Sequence, residues 1–118
     1  MNYNAPEFWI DGGLRHGIGY GSISDGEDIW TGDYNKMTSN EAEYTTLLVL
    51  LKRLPHPSFL GPVIYSDSKL MISQVRYLWR VKAVHLLPFV KLAQKLVVET
   101  QARLIWVSRK EIVARLGH

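Results

Sequence analysis

The chain has 118 residues, 47% of them hydrophobic, no cysteine and a formal net charge of +3. One domain spanning residues 1–118 with one core is expected at that length. The missing cysteines exclude a disulfide framework, a thiolate metal site and a cysteine nucleophile. "MNYNAPEF" lacks the basic-then-apolar pattern of a secretion signal, and the longest aliphatic run, Leu47 to Leu51, is too short to cross a membrane. A cytoplasmic location is the expectation. The sequence pI of about 9.3 is mildly basic. Its distribution is uneven: acids dominate from Glu7 to Glu43, whereas Lys69, Arg76, Arg80, Lys82, Lys91 and Lys95 populate the second half. An acidic centre suits a metal ion and a basic flank suits phosphate.

In chain order, "EFWID" (7–11) alternates like a strand, with Phe8 and Ile10 on one face and Trp9 and Asp11 on the other. "GIGYGSIS" and "DIWTGDY" predict two more strands around a turn at Asp25-Gly26. Ser39 is expected to cap a helix from about Asn40 to Leu54, which Pro55 ends. "PVIYS" is an apolar run suited to a buried parallel strand. A helix should follow from Ser68 to about Arg76. A longer one is predicted from His85 to Thr100, with Pro88 tolerated in its first turn. "RLIWVS" is a fifth strand and "EIVARLGH" begins a last, short helix. The pattern predicts an α/β domain with a mixed sheet, whose ligands would gather at the carboxyl ends of the parallel strands.

Three acids stand out. Asp11, in Asp-Gly-Gly, could be an ordinary turn residue, and Asp67 could simply be part of an Asp67-Ser68 pair that caps the following helix. Glu43 is harder to dismiss. It shares a helical stripe with Leu47, Leu50 and Leu54, on the side that faces the sheet, whereas Glu41 lies about 200° away. A carboxylate heading a buried stripe is costly unless it is paired or metal-bound. Carboxylates converging from distant parts of a chain are tolerated around a hard cation such as Mg²⁺ or Mn²⁺.

Together "DGG", "SNEAEY", "YSDSKLMISQV" with the following "WRVK", and "LIWVSRKE" resemble, in order and spacing over nearly the whole chain, type 1 ribonuclease H. The resemblance implies a ribonuclease H-like fold with a five-stranded mixed sheet flanked by helices. It implies an endonuclease that hydrolyses the RNA strand of an RNA–DNA hybrid, leaving 3′-hydroxyl and 5′-phosphate ends. Asp11, Glu43 and Asp67 would hold two divalent ions, Mg²⁺ or Mn²⁺. Gly12 and Asn40 would contact substrate, with Asn40 reading the minor groove, and Trp79, Arg80 and Lys82 would grip the DNA strand. Four of these have a plainer role available as well: Asn40 as a helix-start residue, and Trp79, Arg80 and Lys82 as a solvated basic turn with a half-buried Trp.

The C-terminus departs from the family pattern, which places a fourth acid on the last helix. "SRKEIVARLGH" has no Asp, Glu111 follows the strand too closely, and Arg115 or Leu116 takes the aligned place. His118 is then a candidate catalytic or metal-binding residue, or merely a chain end. The alternatives to a hybrid-cleaving enzyme are a non-catalytic hybrid-binding module of the same fold and a related nuclease or integrase-like protein acting on DNA. A monomer is expected, with a dimer as the other possibility.

Overall fold

The computed structural model describes residues 5–55 and 60–117. The order is β1 (Glu7–Arg15), β2 (Ile18–Ser24), β3 (Ile29–Lys36), α1 (Ser39–Arg53), β4 (Val63–Ser66), α2 (Lys69–Val75), α3 (Leu87–Thr100), β5 (Arg103–Trp106) and α4 (Arg109–Leu116). A single 3₁₀ turn, Val84–Leu86, leads into α3. The five strands form one sheet in the order β3-β2-β1-β4-β5. β1 pairs antiparallel with β2 and parallel with β4, and β4 pairs parallel with β5. This is the mixed α/β architecture that the sequence predicts. Among the described residues, no helix is long and apolar enough to cross a membrane.

Two details differ from the sequence reading. Asp-Gly-Gly is not a turn: β1 continues through it to Arg15, and the chain reverses at His16-Gly17, where both residues have positive φ (53° and 78°). A two-residue loop with that backbone matches the twist of the strands it joins. Helix α1 is capped by Thr38 rather than Ser39. The Thr38 Oγ1 accepts from the Glu41 amide at 3.1 Å, and the Glu41 carboxylate accepts from the Thr38 amide at 2.8 Å. This reciprocal pair satisfies two otherwise orphaned donors and uses the glutamate that the apolar stripe leaves free.

The main core lies on one face of the sheet. Ile10, Ile64 and Leu104 of β1, β4 and β5 pack under Tyr44, Leu47 and Leu51 of α1 and Val90, Ala93 and Leu96 of α3. The other face carries a small second cluster in which Ile112 and Leu116 of α4 cover Trp9 and lean on Tyr65 and Val107. Trp9 and Tyr65 stack at 5.1 Å between ring centroids. That cluster anchors α4 against the sheet next to the three acids.

Candidate active site

Parallel pairing fixes where two of the acids stand. Trp9 of β1 is in register with Tyr65 of β4. Asp11 and Asp67 each lie two residues beyond that pair, at the carboxyl side of the parallel strands, where ligands of such sheets bind. The third acid comes from α1, which approaches β1 closely at Gly12. A Cβ there would lie 2.6 Å from the Ala42 carbonyl oxygen and 2.7 Å from the Glu43 Cα. Glycine at position 12 thus lets the Glu43 turn of α1 sit directly against the strand that bears Asp11.

The electrostatics show that the three acids are neighbours. The Glu43 carboxyl is raised to about 7, mainly by burial, with Asp67 and Asp11 adding like-charge repulsion against the opposing hydrogen bond of Ser68 and charge of Arg109. Asp11 is itself buried, at 6% exposure. Tyr44, one residue on, is pushed above its ordinary value by burial and by Glu43. Its hydroxyl donates to the Gln74 side-chain oxygen at 2.7 Å, which ties α1 to α2 behind the site.

Arg109, at the start of α4, is a site residue that the sequence patterns did not single out. Its Nη1 lies 2.9 Å from the Asp11 Oδ2 and 3.3 Å from the Asp67 Oδ2. These neighbours raise the guanidinium pKa further, first through the hydrogen bond to Asp11. A signal for it was present: Arg109 follows β5 across a two-residue link, so it emerges at the same edge of the sheet as the acids. Trp106 supports the same corner, its indole N–H donating to the Asp67 carbonyl at 3.1 Å, while Lys69 Nζ lies 4.5 Å over its ring.

The remaining predicted residues fall into two groups. Asn40, Trp79, Arg80 and Lys82 line one cleft of about 480 Å³, together with Leu70, Gln74 and Leu86. Asn40 is one turn before Glu43 on α1, whereas none of the three acids lines the cleft itself. His85 Nδ1 lies 3.5 Å from the Glu41 carboxylate and links that segment to the first turn of α1. At the C-terminus, no acid of α4 replaces the family's fourth. Leu116 is buried against Trp9, the Arg115 guanidinium lies 4.4 Å over the Trp9 ring, and Glu111 is exposed in the first turn of the helix. His118 lies outside the described residues.

Among the described residues, no group of three His, Asp or Glu side chains is spaced to hold a metal ion. The donor chemistry nonetheless fits a hard divalent cation. Three carboxyl groups converge, one of them raised to about 7 mainly by burial and further by the other two, and a cationic nitrogen already bridges two of them.

Solved structures of similar shape cover nearly the whole chain. A ribonuclease H1 isolated from compost by a metagenomic approach superposes with a TM-score of 0.80 at 19% identity, over 95% of this chain and 90% of that one. The chain has the ribonuclease H fold. The N-terminal ribonuclease H domain of Rv2228c from Mycobacterium tuberculosis gives 0.72 at 24% identity, over 94% of this chain and 88% of that one. The compost enzyme in complex with an RNA/DNA hybrid gives 0.74 at 17% identity, over 92% of this chain and 89% of that one. No family model matches the sequence.

Proposed function

We propose that the protein is a type 1 ribonuclease H-like endonuclease that cleaves the RNA strand of RNA–DNA hybrids and leaves 3′-hydroxyl and 5′-phosphate ends. The observation that carries this reading is the convergence of Asp11, Glu43 and Asp67, with Asn40, one turn before Glu43 on α1, lining a cleft shared with Trp79, Arg80 and Lys82. The hybrid held by a ribonuclease H1 of the same fold supports the substrate class.

Asp11, Glu43 and Asp67 would hold the divalent ions, Mg²⁺ or Mn²⁺, that supply an activated water and stabilise the leaving oxygen in this chemistry. The chain's own residues supply the rest. Ser68 orients Glu43 by a hydrogen bond, and Gly12 sets the distance between Asp11 and Glu43. Asn40 faces the minor groove, where 2′-hydroxyls distinguish RNA from DNA. Trp79 offers a flat surface, and Arg80 and Lys82 neutralise phosphates of the DNA strand.

One observation favours a second reading. Arg109 bridges two of the acids and α4 brings no fourth carboxylate among the described residues, as in a hybrid-binding module without turnover. Cleavage assays on labelled RNA–DNA hybrid, double-stranded RNA and double-stranded DNA, with Mg²⁺ and Mn²⁺ separately, decide the matter. Hydrolysis confined to the RNA of the hybrid is expected. Tight hybrid binding without cleavage in either metal would establish the binding module, and cleavage of DNA would replace the substrate class.

A further inference from the structure

We propose that Arg109 is a resident counter-cation that competes with a divalent ion for Asp11 and Asp67, and that it must swing outward before the ion is held. The inference rests on the reading of Asp11, Glu43 and Asp67 as metal-binding carboxylates and concerns how access to them is controlled.

The geometry carries it. A single guanidinium nitrogen touches one oxygen of each aspartate, at 2.9 Å and 3.3 Å, which is a bridging position between two carboxylates. The aspartate side chains are enclosed, at 4% and 18% exposure, whereas the arginine side chain is 54% exposed. Its backbone is fixed: Ser108 caps α4 by accepting from the Glu111 amide at 3.3 Å, and Ile112 and Leu116 seat the helix on Trp9. Movement is therefore confined to the flexible side chain, which has solvent to move into. The last helix thus presents a cation to the acids at its start.

The consequence is a population effect. An ion that binds only when the guanidinium is displaced has its apparent affinity reduced by the fraction of molecules in the displaced state. The bridging guanidinium also neutralises part of a mutually repelling acid cluster, so it stabilises the fold until a metal takes over that task.

The experiment uses chelator-treated protein and Mn²⁺ alone as the probe. Calorimetric titration and thermal melting with and without Mn²⁺ are compared for the parent, Arg109→Gln, Arg109→Lys and Lys110→Gln. Arg109→Gln should bind Mn²⁺ about tenfold more tightly, the factor for a displaced state populated roughly one part in ten. It should melt below the parent without Mn²⁺ and gain more on Mn²⁺ addition. Lys110→Gln, which removes the same charge from the neighbouring exposed position, should match the parent. If Arg109→Gln fails to fold, Arg109→Lys serves in its place, since a shorter monodentate cation should bridge less well and bind Mn²⁺ more tightly than the parent. Equal or weaker Mn²⁺ binding in the folded Arg109 variants overturns the inference alone. Absence of Mn²⁺ binding in every protein, Arg109→Gln included, overturns the metal reading and the inference with it.

Discussion

The carboxylate cluster and the basic cleft adjoin along α1 yet are built in opposite ways. Asp11 is buried on a central strand, Gly12 allows α1 to close over it, and Asp67 follows a strand paired on both sides. Trp79, Arg80 and Lys82 belong to the segment between α2 and α3, which starts from Tyr77 at a φ of 63°, and all three are exposed. Val81 and Ala83 rest on the core, and the partly exposed Glu41–His85 pair adds a tie to α1 of small energetic worth. Groups that must hold a reacting phosphate to within a fraction of an ångström belong on a rigid frame. Groups that grip a flexible polyanion gain from adaptability. Mutations in the first region should therefore change chemistry and stability together, and mutations in the second should change binding alone.

The largest expected effect is that of Asp67→Asn. If Asp67 holds metal as proposed, losing one of its carboxylate oxygens should reduce hybrid hydrolysis by orders of magnitude, while circular dichroism and hybrid affinity stay near the parent. Near-normal hydrolysis would break the comparison at its first term.

Gly12→Ala comes next and joins packing to chemistry. A Cβ at 2.6–2.7 Å from the backbone of Ala42 and Glu43 cannot be absorbed by a side-chain rotation, so strand and helix must part. Overpacking of this kind costs about 1–3 kcal/mol, and urea unfolding should register it. Hydrolysis should fall as well, because the same displacement separates Asp11 from Glu43.

Glu43→Gln sharpens the point through pH. A carboxyl raised from its ordinary value to about 7 binds a proton more tightly folded than unfolded. The stability this confers is fully present below about pH 4.5 and is lost as pH rises through 7, a change on the order of 3 kcal/mol for a shift of that size. Without divalent ions, the parent should therefore lose stability relative to Glu43→Gln between about pH 4.5 and 7, and the two curves should run parallel above that range. Parallel curves throughout would mean that the Glu43 carboxyl is not raised, either by burial or by the other acids.

Most of this frame was legible in the sequence, for identifiable reasons. Strand alternation, the apolar stripe of α1 and the Ser68 cap are local signals, and they locate Asp11, Glu43 and Asp67. Asp-Gly-Gly misleads as a turn because Gly12 serves a long-range approach between β1 and α1, which local turn chemistry does not encode. Arg109 carries only the signal of its place just after β5, because its partners, Asp11 and Asp67, are remote in sequence. Leu116 is informative in the opposite sense: where the family pattern leads one to expect an acid, it is buried on Trp9 as part of the second cluster.

The smallest effect should come from the basic cleft. Arg80 and Lys82 lie at the protein surface, and they share the cleft with Trp79 and Asn40 rather than with the acids. Replacing both by Ala leaves no buried group unpaired, so stability should change by no more than about 0.5 kcal/mol. If each neutralises one phosphate, hybrid affinity should fall, and the slope of log K against log salt should flatten by about two units, one for each phosphate no longer neutralised. Turnover at saturating hybrid should stay at the parent's value, since the carboxylate frame is untouched. A binding titration across salt concentrations, paired with saturation kinetics, separates the two quantities. An unchanged slope would remove Arg80 and Lys82 from the phosphate path, and a fall in saturated turnover would show that the cleft positions the scissile bond as well as holding the strand.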